Sequence, residues 1–152
     1  ENFKNDMDMA VSIERRLAAM KKFHDEGIRT TCFISPIFPG ITDVTAIINR
    51  VKEQCQLVWL ENLNLRGSYK SVIMNYIHDK HPALVQLYKE LYYQGSRLYW
   101  EELDHSIRDY TSKNGLEYVR DDDSMQKGFY DPPTVVNFFY HEEVKRSAKS
   151  SK

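Results

Sequence analysis

Residues Ile28 to Ser35, Ile-Arg-Thr-Thr-Cys-Phe-Ile-Ser, form a β-branched and aromatic run that barely alternates, and Pro36-Ile37-Phe38-Pro39-Gly40 follows at once. Such a run predicts a strand covered on both faces, as in a parallel sheet. Parallel neighbours need a crossover, and the flanking residues supply one. Before the run, Ile13, Leu17 and Met20 recur at helical spacing between a capping Ser12 and Gly27. After it, Thr42 or Asp43 caps a second helix reaching about Gln54, with Ile47, Ile48 and Val51 inside, and Gln56 to Leu65 forms another apolar strand whose end turns polar. Helix, strand, helix, strand reads as α/β with a right-handed crossover. Proline donates nothing to a sheet ladder, so Pro36 and Pro39 are expected to stop the first strand and hold an exposed apolar shelf, Ile37-Phe38. Parallel sheets bind their ligands at that edge, beyond the strand C-termini.

The rest of the chain changes character. Helices are predicted over Tyr69 to Lys80, Pro82 to Tyr93 and Ser96 to Lys113, with Leu84, Leu87, Tyr88 and Leu91 as one stripe and Leu98, Leu103, Ile107 and Tyr110 as another. Tyr88, Tyr92, Tyr93, Tyr99 and Trp100 make an aromatic belt expected to pack as core. Asn114-Gly115 ends the run, Leu116 to Arg120 and Val135 to Tyr140 are short strand candidates, and Asp121-Asp122-Asp123 opens a polar loop. The expected organisation is βα units over residues 1–67, a helical extension with short strands over 68–146, and a disordered tail over 147–152. Two strong strands and two weak ones make a poor parallel sheet for 152 residues. The chain reads as part of something larger, and the edge at Ile28 to Ser35 is expected to seek a partner, in another copy or in the rest of its own protein.

Composition narrows the function classes. Lysine and arginine number 21 against 22 aspartates and glutamates, so no global field favours nucleic acid; Lys145, Arg146 and Lys149 are the one basic run. No apolar run approaches the roughly 20 residues that span a bilayer, no membrane partner is expected, and the polar start Glu1 to Asp6 is unlike a secretory signal; a cytoplasmic location is the expectation. The two cysteines, Cys32 and Cys55, match no zinc or iron-sulfur spacing and are expected to be reduced core residues. His24, His78, His81 and His105 are scattered, and adjacent His141 and Glu142 would diverge on a strand, so no metal site and no catalytic residue is expected within this chain.

Binding residues are expected at the strand ends. Glu61, Asn62 and Asn64 place donors and acceptors at the exit of the second strand. Arg16 is either a planar donor for a carboxylate or a surface arginine paired with Glu14 or near Asp25.

The ordered series SIERRLAAMKKFHDEGIRTTCFISPIFPGITD, VWLENLNLRG, WEELDHSIRDYTSKNGLEY and TVVNFFYHEE, from Ser12 to Glu143, resembles the second half of radical S-adenosylmethionine proteins, especially the group related to spore photoproduct lyase. Arg16-Leu17, Gly27-Ile28, Pro36 to Asp43 and Phe138 to Glu142 carry the likeness. The resemblance implies the C-terminal part of a partial (β/α)6 TIM-like barrel, its fifth and sixth strands, followed by a helical layer. It implies S-adenosylmethionine and a four-iron four-sulfur cluster as cofactors of the whole protein, with Ile37 and Phe38 against the adenine, Glu61 to Asn64 at the adenine and ribose, and Arg16 at the methionyl carboxylate. The family's Cys-x3-Cys-x2-Cys loop and the first four strands have no counterpart here, so this chain alone is expected to hold no cofactor and to be inert. The missing N-terminal half of the barrel is the expected partner, and a DNA-repair substrate comes from the resemblance alone. A non-catalytic α/β binding or protein-interaction module is the alternative.

Overall fold

The computed structural model describes residues 11–120 and 133–139. Helix α1 spans Ile13–Asp25, strand β1 Thr31–Ile37, α2 Val44–Val51 and β2 Leu57–Asn62. Helix α3 covers Tyr69–Lys80; a 3₁₀ turn, Pro82–Leu84, leads into α4, Val85–Tyr92, and α5 runs over Leu98–Lys113. Strands β3, Glu117–Arg120, and β4, Thr134–Asn137, complete a four-stranded sheet ordered β1-β2-β4-β3. All its pairings are parallel. The protein is therefore α/β.

Local chemistry explains the boundaries. The Ser12 hydroxyl accepts from Arg15 N at 3.3 Å to start α1, and the Asp43 carboxylate accepts from Ala46 N at 3.0 Å to start α2. Both caps are the residues the sequence nominates. Strand β1 begins later than expected and does not stop at Pro36. Its register shifts between Ile34 and Ile37, a bulge, and pairing resumes at Ile37 with Asn62. A bulge tolerates the missing proline amide, so the ladder continues one step further.

Alternation along the strands separates two faces. Cys32 and Ile34, Val58 and Leu60, and Val135 and Tyr118 share one face, packing with Val44, Ile48 and Val51 of α2 and Trp100 and Ile107 of α5. Leu17 and Met20 of α1 and Leu87 and Leu91 of α4 join that core. Residues before and after position 68 thus share one core. The helices in this core all cover the same side. On the opposite face Phe33 is 55% and Trp59 37% exposed, so β1 is not covered on both faces as expected. A smaller cluster of Leu63, Leu65, Ile73, Ile77 and Tyr88, with Phe38 and Leu84 against it, lies beyond the end of β2.

The Pro39-Gly40 turn ties β1 to the helices. Phe38 O accepts from Ile41 N at 3.1 Å and Thr42 N at 3.0 Å, while Phe38 N donates to Thr42 Oγ1 at 3.0 Å. Gly40 has φ +70°, and its N–H donates to the Tyr99 hydroxyl at 2.9 Å. A Cβ there would sit 2.8 Å from Leu84 Cδ2. Gly40→Ala is expected to cost about 1–2 kcal/mol through positive-φ strain and displacement of Leu84. In urea melts the midpoint should fall at constant m-value; an unchanged midpoint would show that the turn tolerates a side chain.

Candidate functional site

The C-terminal edge of β1 and β2 gathers polar groups beside an aromatic surface. Ser35 Oγ donates to Glu61 Oε2 at 2.6 Å, linking the two strands on the face away from the helix-covered core. Behind this pair, on the same face, the Phe33 and Trp59 rings meet edge to face at 6.0 Å and Phe138 lies 5.0 Å from Trp59. Such rings offer an apolar floor, and the carboxylate offers a hydrogen-bond acceptor at its rim. Leu63 N donates to Ile37 O at 3.1 Å and so continues the strand exit. The Tyr92 hydroxyl donates to Leu63 O at 2.9 Å, fixing that exit against α4.

The structure brings some of the sequence-nominated residues together and leaves others apart. Glu61 and Asn62 end β2 half-buried, and Asn64 is exposed, its Oδ1 accepting from Arg66 Nε at 3.2 Å. Phe38 is half-buried at the edge of the smaller cluster. Ile37 is 0% exposed and belongs to the helix-side core, so its side chain is no exposed shelf: the bulge turns it inward. Arg16 is exposed on α1, its Nε donating to Val11 O at 3.0 Å. No hydrogen bond joins it to Glu61, Asn62 or Asn64 among the described residues. Glu14 and Asp25, its suggested partners, instead pair with Arg50 and Lys21, both at 2.7 Å.

The thiols behave as core groups. Cys55 is buried and donates to Val51 O at 3.3 Å, and burial pushes its thiol up to about 12. Burial also raises the half-buried Cys32, and both are free. Protonated thiols are poor iron ligands. No group of three or more histidines, cysteines, aspartates or glutamates poised for a metal occurs among the described residues. His141, Glu142 and the basic residues Lys145, Arg146 and Lys149 lie outside the described residues. The aromatic belt divides: Tyr88 and Trp100 are buried, whereas Tyr93 is exposed. No helix among the described residues is long and apolar enough to cross a membrane.

Two further features escaped the sequence reading. A polar groove of about 730 Å³, lined by His24, Arg29, Lys52, Gln56, Asn114 and Pro133 among others, sits at the strand N-termini, opposite the usual ligand edge. The other is a network around Asp104 of α5. Its carboxylate accepts from Arg120 Nη2 at 2.7 Å, Asn137 Nδ2 at 2.7 Å, Arg108 Nη2 at 3.3 Å and the Tyr118 hydroxyl. Asn137 Oδ1 in turn accepts from Phe139 N at 2.8 Å. The signal was an aspartate inside a buried stripe, Trp100, Asp104, Ile107 and Thr111. These bonds clasp α5 to the ends of β3 and β4, next to Phe138.

Comparison with known proteins adds one relative. The chain is similar to an uncharacterised protein of Methanocaldococcus jannaschii, 34% identical over 87 residues, which are 57% of this chain and 33% of that protein. The chain thus spans about a third of the length of the relative it matches. No family model and no solved structure matches.

Burial works to raise the Asp104 carboxyl, but hydrogen bonds from Tyr118, Arg120 and Asn137, with the Arg120 charge, outweigh it and hold the group below its ordinary range. A lowered carboxyl contributes stability above its unfolded value of about 3.9 and loses it as pH falls toward the folded value. Thermal melts between about pH 5 and pH 2 should therefore fall more steeply for the native protein than for Asp104→Asn, which also starts about 1–3 kcal/mol less stable at pH 7. Parallel pH profiles would remove Asp104 from the account of acid stability.

Proposed function

We propose that these residues form one wall of an S-adenosylmethionine pocket in a radical S-adenosylmethionine iron-sulfur enzyme of the group related to spore photoproduct lyase. The supporting observation is the polar rim, Ser35, Glu61, Asn62 and Asn64, at the C-terminal edge of a parallel sheet whose core-packed helices lie on one face. Among the described residues the core-packed helices cover one side of the sheet, as in a barrel wall, here the C-terminal part of a partial (β/α)6 barrel, with the face of Phe33 and Trp59 toward its lumen. The aromatic floor on that face suits a flat ring.

In this reading the Phe38 backbone lies against the adenine, with Ile37 supporting it from the core. Glu61, Asn62 and Asn64 hold the adenine and ribose through hydrogen bonds, the Glu61 carboxylate accepting from a hydroxyl. Arg16 exchanges Val11 O for the methionyl carboxylate, to which its planar fork is matched. Cluster-bound S-adenosylmethionine supplies the radical chemistry in that family; these residues bind and orient it. The described residues do not fit the cluster itself, because both of their thiols are protonated core groups, so its ligands belong to further polypeptide of the whole protein. The chain alone is inert. A DNA lesion as substrate has no support in the charge, 21 lysines and arginines against 22 aspartates and glutamates.

One observation favours a second reading: the exposed rings of Phe33 and Trp59 suit a non-catalytic binding module equally well. Calorimetric titration of S-adenosylmethionine into the cluster-loaded protein, expressed from its natural reading frame, separates the two. Binding should be weakened at least tenfold, about 1.4 kcal/mol, by Glu61→Ala or Asn64→Ala in variants whose circular dichroism is unchanged. Absence of binding, or binding indifferent to both substitutions, or a reading frame lacking Cys-x3-Cys-x2-Cys, would leave the module.

A further inference from the structure

Three helices, α1, α2 and α5, end around the groove at the strand N-termini. His24 comes from the last turn of α1, Arg29 from the link into β1, and Lys52 and Glu53 from the exit of α2, while Leu116 and Pro133 add an apolar side. At about 730 Å³ the groove falls within the roughly 300–1,000 Å³ of sites that take small organic molecules.

Helix C-termini carry negative partial charge, so cations beside them could simply neutralise the helix ends. The hydrogen bonds assign them otherwise. The last carbonyls are taken up by the chain's own turns: Lys22 O and His24 O accept from Glu26 N and Gly27 N, Ile48 O and Val51 O from Lys52 N and Gln54 N, and Tyr110 O and Thr111 O from Asn114 N and Leu116 N. Lys52 Nζ instead donates to Asn114 Oδ1 at 3.2 Å, and Asn114 is itself fixed by its Nδ2 donating to Tyr110 O at 2.8 Å. An ammonium has three N–H bonds, and this contact uses one. His24 is held with equal definition. Thr30 N donates to Gln56 Oε1 at 2.8 Å, so the Gln56 amide group turns its NH2 to His24 Nδ1, 3.2 Å away. Nδ1 of the neutral ring therefore accepts, and Nε2–H is the donor that remains.

We propose that this groove binds the phosphomonoester of a hydroxylated organic molecule. Arg29, Lys52 and His24 Nε2–H are donors in excess of what the two oxygens of a carboxylate can meet, whereas a phosphomonoester brings three terminal oxygens and a charge of about −1.5 to −2. Glu53 opposes a longer polyanion and accepts from a hydroxyl, and Leu116 and Pro133 take the organic body. Sugar phosphates and nucleoside monophosphates share this chemistry. The groove is remote from the proposed S-adenosylmethionine edge: Gln56 and Glu61 are separated by five residues of extended chain, roughly 17 Å. Its occupancy does not depend on that cofactor.

Isothermal titration calorimetry on the protein expressed from its natural reading frame tests this, with ribose 5-phosphate, adenosine 5′-monophosphate and inorganic phosphate as probes and ribose and adenosine as controls. At least one ester should bind with Kd below about 1 mM at low salt, and its unphosphorylated counterpart and inorganic phosphate at least tenfold more weakly. The tighter ester tells a sugar phosphate from a nucleotide. Arg29→Gln and Lys52→Gln, in variants whose circular dichroism is unchanged, should each weaken it at least tenfold, as should raising the salt from about 50 to about 500 mM. Esters that do not bind, or that bind no better than the controls or inorganic phosphate, would overturn the proposal. So would binding indifferent to both substitutions; if Glu61→Ala weakened it instead, the ester would sit at the other end of the strands.

Discussion

Strand β2 is the constraint on which the remainder depends. It is the one strand with β1 on one side and β4 on the other, in register from Leu57 to Leu60, and its Val58 and Leu60 are almost wholly buried under α2 and α5. Because all of its pairings are parallel, each connection must cross the sheet, and the apolar stripes of the core-packed helices place those crossings on one face. One-sided winding then produces both notable surfaces. Among the described residues it leaves Phe33 and Trp59 exposed and puts no strand outside β1.

The first half of this fold was legible because its signals are local. Ser12 and Asp43 cap the helices they were expected to cap, and the apolar runs after Gly27 and Cys55 become paired strands. The second half was legible only as elements. Val135 to Tyr140 reads as a weak terminal strand, yet the strand found there, Thr134–Asn137, lies between β2 and β3 with all four residues buried. Spatial order that departs from chain order leaves no periodic trace. Bulge geometry is likewise silent in the sequence, which is why Pro36 was expected to end β1 and Ile37 to stand exposed.

The candidate site was half legible for the same reason. Glu61, Asn62 and Asn64 announce themselves as a polar cluster after an apolar run, and the strand direction puts them at the ligand edge. Ser35 gains its meaning only from cross-strand register, which sets its hydroxyl against Glu61. Asp104 is a long-range feature too: Tyr118, Arg120 and Asn137 converge on it from two strands. Through Asn137 it steadies the end of β4, and Phe138 next to it reaches Trp59 on the open face. A buried polar clasp on one face thereby sets the aromatic floor on the other.

Amide-resolved NMR titration of S-adenosylmethionine into the whole protein, carrying the cluster that the proposed function assigns to it, probes the placement of the ligand edge most directly. The account predicts perturbations concentrated at Ser35, Phe38 and Glu61 to Asn64, with the Trp59 indole signal shifting alongside them. Perturbations confined to the groove of His24, Lys52 and Asn114 at the strand N-termini, with the β1 and β2 exits unmoved, would contradict it.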